Sequence, residues 1–253
     1  MIDIHAHILP YIDDGAKDIS ESFKMCEVAA DNGVTAIIAT PHIYDYSKAS
    51  DLLKARDERI YELNNLLNEN KCRVRVYKGL EVYCYEQLFS IKDFSKYTMN
   101  SSRYMLCEFD FNEFDTLLIA RYIDHIVSCG ITPIIAHPER CGAFLSDYES
   151  LNDLTRWGVL FQINVHSLSG YHGQNEKRLA LTMVQCGFCD FLATDAHSLK
   201  FRSTDLLEIL LKSHYKFSEK ELQTILKENP QNILYNEKIE DVRRGHISYD
   251  IFT

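Results

Sequence analysis

The chain has 253 residues, of which 46% are hydrophobic and 25% are charged, a composition typical of a folded globular protein. Its net charge of −10 argues against nucleic-acid binding, which needs a basic face. No apolar run is long enough to span a bilayer, no signal peptide is recognisable, and the eight cysteines are scattered. We therefore expect a reduced, cytoplasmic protein without membrane insertion.

One local pattern recurs along the chain: a helical segment ends near a glycine, and a short apolar run follows at once. It occurs at Gly33, Gly130, Gly158 and Gly187. Glycine is favoured just past a helix C-terminus, and apolar strands that alternate with helices indicate a parallel sheet covered on both faces. No Pro-, Gly- or Ser-rich linker interrupts the pattern, so residues 1–253 are predicted to form a single α/β domain.

The pattern predicts seven strands and the helices between them. In chain order, the strands are expected at 2–8, about 35–40, about 73–80, Tyr104–Glu108, Pro133–Ala136, Val159–Asn164 and Asp190–Thr194. The helices are expected at about 18–32 with Asp18 or Ser20 as the N-cap, at 50–70, near 85–91, at about 113–129, near 147–157, at about 175–186, and through the remainder, with Ser218 as a cap and Asn229-Pro230 opening the last helix. Seven βα units favour a seven-stranded (β/α) barrel, a fold of about 250 residues.

The first predicted strand carries the motif His5-Ala6-His7. Residues two apart in a strand point to the same face, so both imidazoles are available to one metal ion. Two core histidines with satisfied hydrogen bonds are the alternative, and the motif alone does not decide between them.

Metal-ligand side chains also stand at the ends of most other predicted strands. Six of the seven strands end in one, and the set is His5 and His7, His42, Glu81, Glu108, His137, and Asp195 with His197. The carboxyl ends of barrel strands meet at one face, where active sites lie. The sequence therefore predicts a metal cluster, which the turn Asp13-Asp14-Gly15 would border.

The ordered motifs resemble those of a known superfamily. They are His-x-His, Asp-Asp-Gly, Thr-Pro-His, Gly-x-Glu, a strand-end Glu, Ala-His-Pro-Glu-Arg and Asp-Ala-His. This set resembles the polymerase-and-histidinol-phosphatase (PHP) superfamily, and more closely the bacterial manganese-dependent tyrosine-protein phosphatases of capsule and exopolysaccharide loci. The resemblance covers nearly the whole chain and implies a distorted seven-stranded barrel of PHP type with a trinuclear metal site.

The resemblance also implies a ligand set for three divalent metal ions. One ion would be bound by His5, His7, Glu81 and Asp195, a second by Glu81, Glu108 and His137, and a third by Asp14, His42 and His197. Asp13 remains an alternative to Asp14. Many superfamily members have a histidine where this chain has Glu108, and mixed carboxylate and imidazole ligands suit manganese, with iron or zinc as alternatives.

Such a loaded site would be net positive and would attract a phosphate monoester. A hydroxide bridging two metal ions would attack phosphorus in line. Arg140 and Arg202 are the predicted catalytic and substrate-binding side chains, because a guanidinium holds phosphate oxygens in a bidentate manner. The alternative for each is a surface arginine paired with a carboxylate. Tyr44 and Tyr46 could stack on a substrate ring or pack at the rim of the site.

Three functions remain after motif-level exclusions. No cysteine is followed six positions later by arginine, which excludes the cysteine-based tyrosine phosphatases, and no P-loop occurs. The first is phosphotyrosine hydrolysis. The second is hydrolysis of another phosphate ester, such as histidinol phosphate or a nucleic-acid phosphodiester. The third is a non-enzymatic metal-binding regulatory module. The resemblance favours the first, on the Tyr-rich tail of a capsule or exopolysaccharide tyrosine kinase.

Overall fold

Parallel strands form the framework of the protein in the computed structural model, which describes residues 1–112, 115–240 and 244–248. These residues contain nine strands: β1 (Ile2–Ala6), β2 (Ala36–Ala39), β3 (His42–Ile43), β4 (Arg75–Lys78), β5 (Glu81–Tyr83), β6 (Tyr104–Glu108), β7 (Thr132–Ala136), β8 (Leu160–Asn164) and β9 (Phe191–Ala193). One sheet has the order β1-β2-β4 and the other the order β3-β5-β6-β7-β8-β9. All of the recorded strand pairs are parallel, so the prediction of an α/β protein with parallel sheets is confirmed.

The strand count within the described residues is nine rather than the predicted seven, because two short strands lie just beyond predicted ones. β3 follows the predicted second strand after a break at Thr40-Pro41, where proline lacks the N–H that a strand ladder uses. β5 follows the predicted third strand after a break at Gly79-Leu80. Before the breaks β2 pairs with β4, and after them β3 pairs with β5, so the breaks separate the hydrogen-bond ladder into two sheets.

The first and last strands meet beside each other. Ala6 forms an isolated bridge with Ala196, and the Asp195 N–H donates to the His5 carbonyl at 2.8 Å. The buried carboxylate of Asp3 adds a side-chain link, because it accepts from the Thr194 N–H at 3.1 Å and from the Thr194 hydroxyl at 2.5 Å.

An irregularity in β1 directs its histidines toward the centre. Ile4 packs with apolar residues from β2, β6, β7 and β9, whereas Ala6 packs with residues of α1 (Ile19–Asp31) and α2 (Ala49–Glu69). The pairing of β1 with β2 shifts register between Asp3 and Ala6, as a bulge does, and thereby changes which residues face each side. His5 and His7 therefore lie on the same side as Ile4, above the central apolar cluster.

The remaining helices are short, and several depart from the predicted bounds. They are α3 (Thr116–Ser128), α4 (Gly142–Ser146), α5 (Ser150–Leu154), α6 (Val165–Ser169), α7 (Gln174–Gln185), α8 (Leu206–Lys212), α9 (Glu219–Gln223) and α10 (Asn229–Tyr235), with a π-helical turn at Thr224–Glu228. The segment near 85–91 is a 3₁₀ turn at Glu86–Ser90, the helix near 147–157 is α5 followed by a 3₁₀ turn, and α4 and α6 were not predicted. The predicted start at 113 lies outside the described residues; α3 begins after Asp115, whose carboxylate accepts from the Leu117 and Leu118 N–H groups.

Other local predictions are confirmed. Asp18 rather than Ser20 caps α1, by accepting from the Glu21 N–H, and Ser218 forms a capping box with Glu221. Asn229 opens α10. The four glycines predicted to end helices all have positive φ, between 69° and 81°. Within the described residues, no helix combines the length and the apolar character needed to cross a bilayer.

We predict that Asp3→Ala destabilises the fold by about 2–4 kcal/mol, because it leaves buried donors of Thr194 without an acceptor. In a chain of this size the melting temperature should fall by about 5–15 °C. Circular dichroism in EDTA measures the effect apart from metal binding. The exposed Asp31→Ala is the control and should change stability by less than about 0.5 kcal/mol; an equal melting temperature for both variants would contradict the link between the first and last strands.

Candidate metal centre

The predicted ligand residues meet at the carboxyl ends of the strands. Three overlapping groups have ligand atoms within 4.8 Å of one another: His5, His7, Glu81 and Asp195; His7, Asp14, His42 and His197; and His42, Glu81 and Glu108. The ninth predicted residue, His137, directs its Nε2 atom to Glu81 Oε1 at 2.9 Å. The structure therefore brings all nine into one connected cluster, in which Glu81 belongs to two of the three groups.

The first group is completely buried. The Nε2 atoms of His5 and His7 lie 3.2 Å apart, and each is 3.1 Å from Glu81 Oε2. Each is also 3.5 Å from Asp195 Oδ1. Two ring nitrogens and two carboxylate oxygens thus converge on one point between the first, third and last predicted strands.

A hydrogen-bond relay fixes the proton of His5 on Nδ1. The Asp195 carboxylate only accepts, so Asn164 Nδ2 donates to its Oδ2 atom at 2.9 Å. Asn164 Oδ1 then accepts from Gln162 Nε2 at 2.8 Å, which leaves Gln162 Oε1 to accept from His5 Nδ1 at 2.8 Å. The Nε2 atom of His5 therefore presents a lone pair to the group.

Two further histidines also carry their proton on Nδ1. His7 Nδ1 donates to Asp13 Oδ2 at 2.7 Å, and His197 Nδ1 donates to the Asp195 carbonyl oxygen at 2.8 Å. Both rings therefore turn an Nε2 lone pair toward the centre. Two such lone pairs, on His5 and His7, face each other at 3.2 Å, and this contact is repulsive unless a cation lies between them.

The second group differs from the predicted one. His42 Nδ1 lies 3.1 Å from Glu81 Oε2 and 3.4 Å from Glu108 Oε2. His137 Nε2 lies 3.8 Å from Glu108 Oε1. The structure thus places His42 between the two carboxylates and His137 on their other side, whereas only His137 was expected there.

Asp13 and Asp14 have different positions. Asp14 Oδ1 lies 3.3 Å from His197 Nε2 and 3.7 Å from His42 Nε2, at the exposed edge of the site. Asp13 instead accepts from His7 Nδ1, from the His42 N–H and from the Gly15 N–H. Asp14 therefore offers a free carboxylate oxygen to the third group, while Asp13 orients a ring and the turn around it.

Gly15 allows this turn to lie close to β1. A Cβ atom at this position would stand 2.0 Å from the His7 carbonyl oxygen, which itself accepts from the Ala16 N–H. No side chain fits there, so the Asp13-Asp14-Gly15 turn depends on glycine for its approach to the cluster.

The charges of the site favour a bound cation. Burial alone would raise the pKa of Glu81 and Asp195, yet the imidazole of His5 and its neighbours hold both pKa values well below their ordinary range. The neighbouring imidazoles, that of His197 above all, hold the pKa of Asp14 below its ordinary value. Although burial lowers the pKa of His5, Glu81 and Asp195 raise it overall, so the cluster draws positive charge toward itself.

Unpaired buried atoms support the same conclusion. Among the described residues, the buried side-chain atoms without a hydrogen-bond partner include His42 Nδ1, Glu81 Oε2, Glu108 Oε2 and His197 Nε2. Buried polar atoms are ordinarily hydrogen-bonded. All four belong to the three groups, and a divalent metal ion bound by imidazole and carboxylate would satisfy them.

Both predicted arginines reach the same carboxylate. The NH1 atoms of Arg140 and Arg202 donate to Asp195 Oδ2 at 2.8 Å and 3.2 Å. The Arg140 guanidinium also lies over the ring of Phe111, 4.4 Å from its centroid. Each arginine is thus paired with a carboxylate, as in the alternative considered for it, but that carboxylate is part of the cluster.

Three residues of the site have a strained backbone. His137, Asp195 and Arg202 have φ values of 31°, 52° and 49°, in the left-handed region that such residues seldom adopt. Strained residues of this kind tend to occur at functional sites, where the surrounding structure holds them. Here the bonds from Asp195 N–H to the His5 carbonyl and from His197 N–H to the Arg202 carbonyl, both 2.8 Å, hold the loop.

Several supporting residues were not predicted from the sequence. Gln162 and Asn164 lie on β8, the one predicted strand whose end offers no ligand, and they interrupt its apolar pattern. The buried Glu139 accepts from the Asn164 N–H and the Ser167 hydroxyl, and burial raises its pKa. Polar residues inside an apolar strand were the available signal for the first two.

The two additional histidines of this region are not part of the groups. His166 Nδ1 bonds to the Thr194 carbonyl oxygen at 3.0 Å. Burial and the charge of Arg140 lower the pKa of His172 to about 3, so this ring is neutral. Both histidines lie near the arginines and not among the ligand atoms.

A parallel α/β fold that gathers histidines and carboxylates at the carboxyl ends of its strands is typical of metal-dependent hydrolases. Residues 1–235 match the model of the family described as capsular polysaccharide synthesis, CpsB/CapC. This chain belongs to that family.

Similar proteins are found by sequence and by structure. The chain is 35% identical to a putative tyrosine-protein phosphatase CapC of Staphylococcus aureus over 94% of this chain and 93% of that protein. It is 33% identical to the tyrosine-protein phosphatase YwqE of Bacillus subtilis, with the same shares covered. A structure from work on YwqE of Bacillus subtilis and CpsB of Streptococcus pneumoniae, described as metal-dependent tyrosine phosphatases, matches with a TM-score of 0.82 at 30% identity, over 98% of this chain and 100% of that one. A phosphotriesterase homology protein of Escherichia coli, at 11% identity and a TM-score of 0.55, over 91% of this chain and 97% of that one, shares the fold.

We predict that Gln162→Leu weakens metal binding by about 10–100-fold, because the relay that holds His5 Nδ1 is broken. Isothermal titration of the chelator-treated protein with Mn²⁺ measures the change. Gln185→Leu, the same substitution at an exposed position on α7, is the control and should bind as the unmodified protein does. Equal affinities for the two variants would show that the relay does not position His5.

Proposed function

We propose that this chain is a metal-dependent tyrosine-protein phosphatase that hydrolyses phosphotyrosine. Family membership and the names of its similar proteins support this activity. The observation that carries it is the overlap of three ligand groups, two of which share Glu81, beside two arginines directed at Asp195. The ligand groups for cations and the arginines for phosphate thus share one carboxylate, that of Asp195.

The proposed cofactor is three divalent metal ions, manganese before iron or zinc. His5, His7, Glu81 and Asp195 would hold one ion; Glu81 and Glu108, with His42 and His137 beside them, would hold the second; and Asp14, His42 and His197 would hold the third. When bound, such ions make hydroxide available from water at neutral pH and neutralise the charge of phosphoryl oxygens.

The chain's own cations bind and orient the phosphate group. The planar fork of N–H donors on Arg140 and on Arg202 matches phosphate oxygens. Asp195 holds one N–H of each arginine, which leaves the other donors for substrate. A phenolate leaving group, with a pKa of about 10, needs less protonation than an alkoxide, so these residues can act without a strong general acid.

The proposed substrate is a phosphotyrosine protein, in particular the Tyr-rich tail of a capsule or exopolysaccharide tyrosine kinase, in the cytoplasm. The family description supports a role in capsular polysaccharide synthesis. We further propose that residues 1–253 form one domain, a distorted, closed barrel of PHP type. In this barrel β2 with β3, and β4 with β5, each count as one strand, which gives seven. The side-by-side position of β1 and β9 supports closure.

Metal removal should abolish activity, because the carboxylates would then repel phosphate and no hydroxide would be available. We expect chelated protein to release no phosphate from a phosphotyrosine peptide and Mn²⁺ to restore release. Histidinol phosphate is the comparison substrate and should be hydrolysed much more slowly. Activity that survives chelation, or a preference for histidinol phosphate, would contradict the proposed function.

Each arginine should contribute to the rate. Arg140→Ala or Arg202→Ala should lower kcat for a phosphotyrosine peptide by about 100–1000-fold, as loss of a transition-state donor does, and lysine should restore only part of it. Arg156→Ala is the control, because this arginine is exposed and pairs only with Asp153 among the recorded ion pairs of the described residues. A kcat within about threefold of the unmodified value for both alanine variants would exclude a role in phosphate binding.

A further inference from the structure

Tyr44 is an aromatic residue that lies directly on the metal-ligand cluster. Its ring stacks on that of His42, with centroids 4.8 Å apart and planes inclined by 28°. In spite of this contact 53% of the residue is exposed. One face of the ring therefore packs against a cluster residue, while more than half of the residue stays open to solvent.

Tyr46, two residues later, has a different environment. Its hydroxyl donates to the Tyr83 carbonyl oxygen, and its ring stacks on Tyr85 and meets Tyr97 edge-on. These contacts are those of a packing residue. Of the two tyrosines that follow His42, only Tyr44 offers an open aromatic face at the site.

The position of Tyr44 is fixed by a second ring. Tyr83 meets Tyr44 edge-on at 5.3 Å, and the Tyr83 hydroxyl donates to Asp110 Oδ2 at 2.8 Å. An exposed side chain that is held in this way loses little conformational entropy when a ligand stacks on it. Tyr44 is thus a preorganised surface rather than a mobile side chain.

Among the described residues, the cluster opens to solvent at Asp14 and His42, on the side where Tyr44 lies. The side chains of His5, His7 and Glu81 are fully buried, whereas the Asp14 side chain is 65% exposed and that of His42 10%. A phosphate bound between the arginines and the cluster can extend its organic group past Asp14 and His42. Tyr44, stacked on His42, borders this route.

We propose that Tyr44 is the stacking wall of an aryl-binding subsite, which selects phosphate esters of phenols over those of aliphatic alcohols. The inference rests on the proposed phosphatase function and adds the residue that recognises the leaving group. Offset stacking of two aromatic rings contributes beyond simple burial of area, so the ring of the substrate gains affinity that an alkyl group does not. Tyr44 acts on binding and orientation, and the chemistry remains with the cluster and the arginines.

Two phosphonates test this role without any turnover. Phenylphosphonate and methylphosphonate carry the same phosphonate group and differ in the ring. We would measure their dissociation constants by titration calorimetry on Mn²⁺-loaded protein, for the unmodified chain, Tyr44→Leu and Tyr44→Phe. The ratio of the two constants within each protein cancels differences in metal loading, and comparison between proteins cancels intrinsic differences between the ligands.

We expect the preference for phenylphosphonate to fall by about fivefold in Tyr44→Leu and to be kept in Tyr44→Phe, which retains the ring. Methylphosphonate should bind all three proteins equally within about twofold. Tyr61→Leu, at an exposed position on α2, is the matched control and should leave the ratio unchanged. The same fivefold loss should appear in kcat/KM for a phosphotyrosine peptide.

An unchanged ratio in Tyr44→Leu would overturn the proposal, and so would equal weakening of both phosphonates, since that result belongs to a role in holding His42. Absence of phenylphosphonate binding to the unmodified protein would overturn it as well. Failure of the proposed function has a separate signature: phenylphosphonate would bind through Tyr44 while the phosphotyrosine peptide is not hydrolysed.

Discussion

The convergence of carboxylates and imidazole lone pairs on the Glu81 carboxylate is the interaction on which the rest of the site depends. Glu81 lies within 3.1 Å of ring nitrogens of His5, His7 and His42, and all of these side chains are largely removed from water. Buried carboxylates that stay ionised need positive charge nearby. An amide relay, the Asp13 carboxylate and a backbone carbonyl oxygen fix three of the histidines with their lone pairs inward, so the arrangement is stable when cations supply that charge.

The fold serves this convergence through irregular features. The register shift in β1 places His5 and His7 on the central side. The breaks at Pro41 and Gly79 end β2 and β4 and start the short strands that carry His42 and Glu81. Left-handed backbone at Asp195 aims its carboxylate at both the cluster and the arginines. Regular strands alone would not bring these side chains to one point, so part of the fold's stability is given up for the geometry of the site.

Most of the site could be predicted from the sequence because ligands follow apolar runs at strand ends, where a parallel fold collects them. Four of the predicted strands were recognisable from apolar runs preceded by glycine. Gln162 and the grouping of His42 with Glu108 were not, since both depend on which side chains meet across strands distant in sequence. Two choices likewise needed three-dimensional positions: that between Asp13 and Asp14, and that between Tyr44 and Tyr46. In each pair the two residues are of one type and close in sequence, so they differ only in what they contact.

We infer that the cluster is built around cations and not around protons shared among its side chains. Anomalous diffraction from crystals grown with Mn²⁺ tests it most directly, because the peaks locate manganese independently of any activity. The account predicts a strong peak enclosed by His5, His7, Glu81 and Asp195 and two further peaks beside Glu108 and beside Asp14. Diffraction data with no anomalous peak among these side chains, and with His5 and His7 still 3.2 Å apart, would contradict it.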